Sequence, residues 1–217
     1  MSKYKILYIH HAIGLGGAPR SLSFLISHLN LDIFKPIVAM PKRSGNEAVR
    51  NLFLDAGADV IEEQDIRPFN GSTVAPCQSI DSRLYALLFY QSTRTTGMRL
   101  IEDIQPNVVH LNSTCVVAVA EGAKRANPAV KTVAHVREPL LPNWWGRNLA
   151  RMNRKYIDSF ISIDKYGLFT IGDSIKQSVV IPNFCDLKKY HPQSGDRINL
   201  RRGIGLKNDD VAFLFLA

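Results

Sequence analysis

Seven short apolar runs recur along the chain: KILYI (5–9), PIVAM (36–40), ADVI (58–61), NVVHL (107–111), KTVAH (131–135), SFISI (159–163) and SVVIP (178–182). They are rich in β-branched residues, and their apolarity is continuous rather than alternating, which predicts strands buried on both faces. Segments of helical period lie between them. Leu22, Leu25, Ile26 and Leu29 fall at i, i+3, i+4 and i+7 and make one apolar stripe. Residues 46–56 predict a helix ended by Gly57, and 114–126 another, stopped by Asn127-Pro128. Residues 81–104 predict one long helix or two short ones, because the STRTTG stretch inside them is a poor helix former. Over 144–156, Trp145, Leu149, Met152 and Tyr156 share a narrow face. Arg147, Arg151, Arg154 and Lys155 lie opposite, with Trp144 nearer to them. Strands alternating with helices predict an α/β, Rossmann-like doubly wound, mostly parallel sheet of about seven strands, with helices on both faces.

Two regions break the alternation. Residues 62–80 (EEQDIRPFNGSTVAPCQSI) read as a long loop, and loops of that length inside a domain are often functional or mobile. From about Lys188 the chain turns polar and basic, then closes with VAFLFLA (211–217), which reads as a strand. A hydrophobic strand at a terminus is an edge-pairing liability. The expectation is therefore a Rossmann-like domain over 1–187, then a linker and the first strand of a second domain over 188–217.

Composition narrows this picture only a little. The 217 residues are 46% hydrophobic and 21% charged, ordinary for a globular protein. A formal charge of +8 suits a plain basic protein, a polyanionic partner, an anionic membrane surface or a phosphorylated ligand. Nucleic acid is not expected among the partners. Cys77, Cys115 and Cys185 are odd in number and widely spaced, with no CxxC pair. That argues against a disulfide framework and a structural zinc site, and favours a reducing cytoplasm. No targeting segment is visible, and no run approaches the roughly 20 apolar residues of a membrane span. Membrane contact would then be peripheral. The basic face at 144–156 is a solvated surface or a contact for anionic head groups, with Trp144 favouring the second.

Candidate chemistry begins at HHAIGLGGAPRSL (10–22), a glycine-rich turn between a strand and a helix. The free N–H groups of a helix N-terminus and its dipole favour anions. Gly14, Gly16 and Gly17 permit a tight turn and close backbone approach, and Pro19 suits the first helical turn. Arg20 has the wrong sign for the dipole unless an anion sits beside it. The alternative is a tight turn with no ligand. A dinucleotide fingerprint starting at Gly14 would need glycine or alanine where Pro19 stands, and no acidic residue ends the second strand. A P-loop would need Gly-Lys-Ser/Thr, which is absent.

Other strand ends are polar on the same edge, where open α/β sheets bind ligands. The first ends at His10-His11. NVVHL carries His110 and runs into Asn112-Ser113-Thr114, and KTVAH ends at His135 before Arg137-Glu138. Each residue has a plainer reading: a packed histidine, a helix cap at Asn112 or Ser113, an Arg137–Glu138 pair. Three histidine-bearing loops on one edge weigh more than any one of them. No glycosidase-like carboxylate pair, nucleophile elbow or metal-ligand cluster stands out.

Four segments carry a family resemblance: ILYIHHAIGLGGAPRSL, NVVHLNS, TVAHVRE and SVVIPNFCDLKKYHP. Together they resemble the N-terminal domain of GT-B glycosyltransferases of the retaining family 4 kind. The last is similar to that family's connector into its second domain, with Phe184-Cys185 replacing the usual Gly-Val, and FLFLA is similar to that domain's opening. The resemblance spans almost the whole chain but half of the usual enzyme. It implies an acceptor-side domain facing, across a cleft, a donor domain that holds the nucleotide-sugar and carries a pair of glutamates. Gly16, Gly17 and Arg20 would meet the donor diphosphate. His135 is the closest match to a histidine near the reacting sugar. His11, His110, Asn112, Arg137 and Glu138 lie in matching acceptor or cleft loops. The implied chemistry is transfer of a hexosyl group with retention, from a nucleotide-sugar to a glycan or lipid-linked acceptor, with no metal or other cofactor. No donor-domain motif stands within these residues, so the chain alone is expected to be inactive. A standalone phosphate- or sugar-binding module, and a non-catalytic subunit pairing with a separate donor-domain chain, are the alternatives.

Overall fold

A computed structural model describes residues 2–76, 79–173, 175, 177–188, 195–207 and 209–213. Seven strands form one sheet: β1 (Tyr4–Ile9), β2 (Phe34–Pro41), β3 (Asp59–Glu63), β4 (Val108–Leu111), β5 (Lys131–Val136), β6 (Ser159–Ser162) and β7 (Ser178–Val180). Their order is β3-β2-β1-β4-β5-β6-β7, and every described pairing is parallel. All seven apolar runs therefore become strands. Helices α1 (Gly17–Ser27) and α2 (Glu47–Asp55) follow β1 and β2, and α3 (Ile80–Ile104) crosses back from β3 to β4. Next come a 3₁₀ turn (Thr114–Val116), α4 (Val117–Ala126), α5 (Trp144–Tyr156) and α6 (Lys165–Ile171).

The two sheet faces bury separate cores. Leu22 and Ile26 of α1 and Val49 and Phe53 of α2 pack on Tyr8, Val38 and Met40. On the other face, α3 to α6 cover Leu7, Ile9, Val109, Leu111, Ala134 and Phe160. Leu149 of α5 is buried there, with Trp145, Met152 and Tyr156 packed against the core, while Trp144 points outward at 58% exposed.

Several local readings change. The helix over 80–104 is continuous, because its weak helix formers lie against α4: Thr93 and Thr96 are buried. A Cβ on Gly97 would come within 2.7 Å of the Val119 carbonyl, and one on Gly122 within 2.2 Å of the Arg94 carbonyl. These glycines let the two helices approach. Residues 114–116 are a 3₁₀ turn that precedes the α-helix. The segment after β3 is stitched down rather than loose. Ser72 bridges Leu140, the Phe69 N–H donates to the Cys115 carbonyl (2.8 Å) and the Leu141 N–H to the Gly71 carbonyl (2.8 Å).

The chain divides into two compact units, 1–183 and 184–217. In the second, α7 (Arg197–Gly203) is capped by Asp196, whose side chain accepts from the Ile198 and Asn199 N–H groups, and the helix buries none of its residues. Residues 211–213 form no strand, and 214–217, the rest of the expected terminal strand, lie outside the described residues. Cys77 also lies outside them; Cys115 and Cys185 are free. Among the described residues no helix is long and apolar enough to cross a membrane.

Candidate functional site

The strand order reverses direction between β1 and β4, so the connections leaving their carboxyl ends diverge and open a crevice. The glycine loop stands at this point. Gly14 has φ +80°, a left-handed conformation that favours glycine. Its N–H donates to Asn46 Oδ1 (3.2 Å), and Asn46 Nδ2 donates to the Pro41 carbonyl (3.0 Å). Asn46 precedes α2 but makes no capping bond; it braces the loop instead. Gly16 is the N-cap of α1 and offers no side chain to the helix. The Gly17 and Ala18 N–H groups thus find no partner among the described residues. A Cβ on Gly16 or Gly17 would meet nothing within 4 Å, so these glycines face open space.

Asn112 ties the loop to the neighbouring strands. Its N–H donates to the Ile9 carbonyl (2.9 Å), and its Nδ2 donates to the Ala18 carbonyl (3.2 Å) and lies 3.1 Å from His10 Nδ1. Its Oδ1 accepts from Arg137 Nε (3.0 Å), a group that can only donate. That fixes the amide orientation and makes His10 Nδ1 the acceptor. Arg137 reaches on to α1, donating through Nη1 to Ser21 Oγ (3.0 Å), while its buried Nη2 has no partner among the described residues. Arg137 makes no ion pair among the described residues. Burial lowers its pKa to about 10, with the Glu138 charge opposing that shift.

The histidines stand here as neutral imidazoles. His110 and His135 stack at 5.9 Å between centroids, with Tyr8 5.1 Å from His110 on its own ring contact. Both are buried, and His110 Nε2 and both nitrogens of His135 lack partners among the described residues. Burial pushes His110 down to about 4 and His135 to about 3, and the Arg137 charge adds to both. Burial likewise lowers His10 to about 3 and His11 to about 4.

Glu138 does not pair with Arg137. Ser113 Oγ donates to its Oε1, and Cys115 Sγ lies 3.6 Å from the same oxygen. Burial raises the Glu138 carboxyl and pushes the Cys115 thiol up to about 12, so the thiol stays protonated. Ser113 also caps the 3₁₀ turn by accepting from the Cys115 N–H. Arg20 is exposed and contacts none of these groups.

The structure thus gathers His10, Asn112, Arg137 and the first turn of α1 into one bonded network, beside the stacked His110 and His135. Glu138 sits on a separate Ser113–Cys115 contact, and Arg20 stands apart. Asn46 and Ser21 escape a sequence reading, since one looks like a helix cap and the other like an exposed helix residue. Backbone donors, neutral imidazoles and one unpaired cation suit a ligand that is rich in hydroxyls and anionic.

No protein-family model matches the chain, and no curated protein is found to match it. Solved structures do. HepE from Anabaena, solved with UDP-glucose, aligns at TM-score 0.62 and 17% identity over 93% of this chain and 50% of its own. The lipopolysaccharide outer core galactosyltransferase WaaB, in its apo form, aligns at 0.57 and 11% identity over 88% and 50%. A UDP-GlcNAc 2-epimerase from Neisseria meningitidis, bound to UDP-GlcNAc, aligns at 0.52 and 12% over 81% and 45%. The chain has the fold of one half of these GT-B-like proteins and spans about half their length.

Proposed function

We propose that this chain is the acceptor-side domain of a retaining, metal-independent glycosyltransferase of the family 4 kind. The observation that carries the reading is the uncapped N-terminus of α1 at the β1/β4 crevice, tied through Asn112 to the unpaired Arg137. Gly16, Gly17 and Arg137 would hold the diphosphate of a nucleotide-sugar, with Arg20 adding charge at the end of the first turn. As the bond to the sugar breaks, negative charge grows on that diphosphate, and preorganised donors stabilise it where it forms. His135, neutral and unpartnered, would hydrogen-bond the transferred sugar. His11, His110, Asn112 and Glu138 would line the acceptor side. A donor domain completes the cleft, so the chain alone binds without turnover. We place it in the cytoplasm, with α5 meeting an anionic membrane that presents a lipid-linked or glycan acceptor.

Amide NMR tests the anion site. Titration with inorganic pyrophosphate or UDP-glucose is expected to shift the Gly16, Gly17 and Ala18 N–H signals and the Arg137 Nε–H. Shifts confined to other residues overturn the assignment. A transfer assay with labelled nucleotide-sugars and the 217-residue chain is expected to stay at background, and turnover would sink the half-enzyme reading.

A further inference from the structure

A groove of about 370 Å³ runs between α5 and α6, which lie on the sheet face opposite α1 and α2. That volume is in the lower range of small-ligand sites, about 300–1,000 Å³. Leu141, Pro142 and Ala150 form its floor and one wall, and Tyr166 and Phe169 the other. These two aromatics are 65% and 73% exposed, and Trp144, at the start of α5 and outside the groove lining, is 58% exposed. Three large aromatic side chains left in water on one surface are costly unless something covers them.

Charge says what covers them. Arg147 and Arg154 stand at two points of the groove, two helical turns apart, about 10 Å. Arg147 Nη1 donates to the Pro142 carbonyl (3.1 Å) and Arg154 Nη1 to the Ile171 carbonyl, which leaves each guanidinium further donors. Neither α5 nor α6 contains an acidic residue. Two of the three neighbouring carboxylates are occupied: Asp158 pairs with Lys124 (2.7 Å) and Asp164 caps α6 through the Gly167 N–H (2.5 Å). Asp173 makes no ion pair among the described residues. None of the described ion pairs uses Arg147, Arg151, Arg154 or Lys155. An apolar groove with uncompensated guanidinium groups and an aromatic rim matches an amphiphile whose head is a phosphate.

We propose that the α5–α6 groove seats the phosphate head group of an anionic phospholipid, with Trp144, Tyr166 and Phe169 entering the head-group layer around it. The inference rests on the membrane contact proposed above and on no step of the transfer reaction. It adds a discrete lipid seat to what would otherwise be diffuse attraction.

Vesicle flotation of the full chain separates the two. Binding is expected to vesicles of mixed phosphatidylcholine and phosphatidylglycerol, and not to phosphatidylcholine alone. Trp144 is one of only two tryptophans, so its emission should shift to the blue on binding, and Trp144→Phe should remove that shift. Diffuse attraction is worth about 1 kcal/mol per basic residue, about fivefold in partitioning. Arg151→Ala, outside the groove, is expected to lose about that. Arg147→Ala, inside it, should lose at least about 25-fold, the equivalent of about 2 kcal/mol. Phe169→Ser should also weaken binding while the melting temperature of each variant stays at the parent value. Equal losses for Arg147→Ala and Arg151→Ala overturn the seat and leave the membrane contact standing. Absence of binding to either vesicle overturns both. Binding of free glycerol phosphate at least as tight as binding of the vesicles would make the groove a site for a soluble phosphate ester and also overturn the proposal.

Discussion

Replacing Gly17 with alanine probes the α1 N-terminus directly, because the fold and the ligand should respond in opposite directions. Gly17 is the first residue of α1, its φ is not left-handed, and an added methyl meets nothing within 4 Å. The fold therefore gains. Glycine costs up to about 1 kcal/mol relative to alanine in a helix interior, and somewhat less in the first turn. A gain of about 0.5–1 kcal/mol raises the melting temperature of a chain this size by about 1–4 °C. The ligand loses, since the methyl occupies the open side from which an anion would reach the Gly17 and Ala18 N–H groups. A hydrogen bond to a charged group contributes about 1.5–3 kcal/mol, so affinity should fall at least about tenfold. Differential scanning fluorimetry gives the first quantity, and calorimetric titration with inorganic pyrophosphate and UDP-glucose the second. Unchanged affinity would refute the claim that this glycine is kept for backbone access. A fall in melting temperature would show that its role is structural.

The opposite outcome is expected at Gly122, where an added Cβ would press on the Arg94 carbonyl at 2.2 Å: Gly122→Ala should cost about 1–3 kcal/mol, read by urea denaturation, because backbone on α3 must give way. The histidines set a pH dependence. His10, His11, His110 and His135 protonate in the folded chain only near pH 3–4, against 6.5 when unfolded. Stability is full above pH 6.5 and is lost as pH falls, because the unfolded state takes up protons first. At pH 5 the loss is about 2 kcal/mol for each such imidazole and about 8 for the four, comparable with the stability of a typical domain. Glu138 acts in the other sense, since its raised pKa favours the folded state as pH falls. Denaturation midpoints from pH 8 to 5 should drop steeply, and His135→Gln should flatten the slope by about a quarter.

The strands were legible because burial on both faces leaves continuous apolar runs, which few other elements produce. The helices that escaped prediction lack that kind of signal. KYGLFTI of α6 is seven residues with a glycine in its first turn, too short for a period, and RINLRRG of α7 buries nothing and so carries no stripe. The STRTTG stretch misleads for a different reason. Residues that weaken an isolated helix are here the small ones that let α3 and α4 approach, so packing overrides propensity. The segment after β3 is held by bonds to Cys115, Pro139 and Leu140, far away in sequence, which no local pattern announces.

The polar strand ends could be read from the sequence as a shared edge, but the way they are connected could not. Parallel register brings Tyr8, His110 and Val133 side by side, and only that register lets Asn112 reach both α1 and β5. A second property of this edge follows from the same geometry. Of the eleven buried polar side-chain atoms without a partner among the described residues, six belong to His10, His11, His110, His135 and Arg137. Each such group costs about 1–3 kcal/mol if nothing satisfies it, and replacing these side chains with apolar ones of similar size would avoid that cost. A plain structural edge would not concentrate unsatisfied donors and acceptors at the one point where an α1 N-terminus is also left uncapped. A ligand with hydroxyl groups and phosphate oxygens would satisfy the imidazoles, the Arg137 Nη2 and the Gly17 and Ala18 N–H groups together. Under the proposed function, a sugar phosphate at this edge would supply those partners.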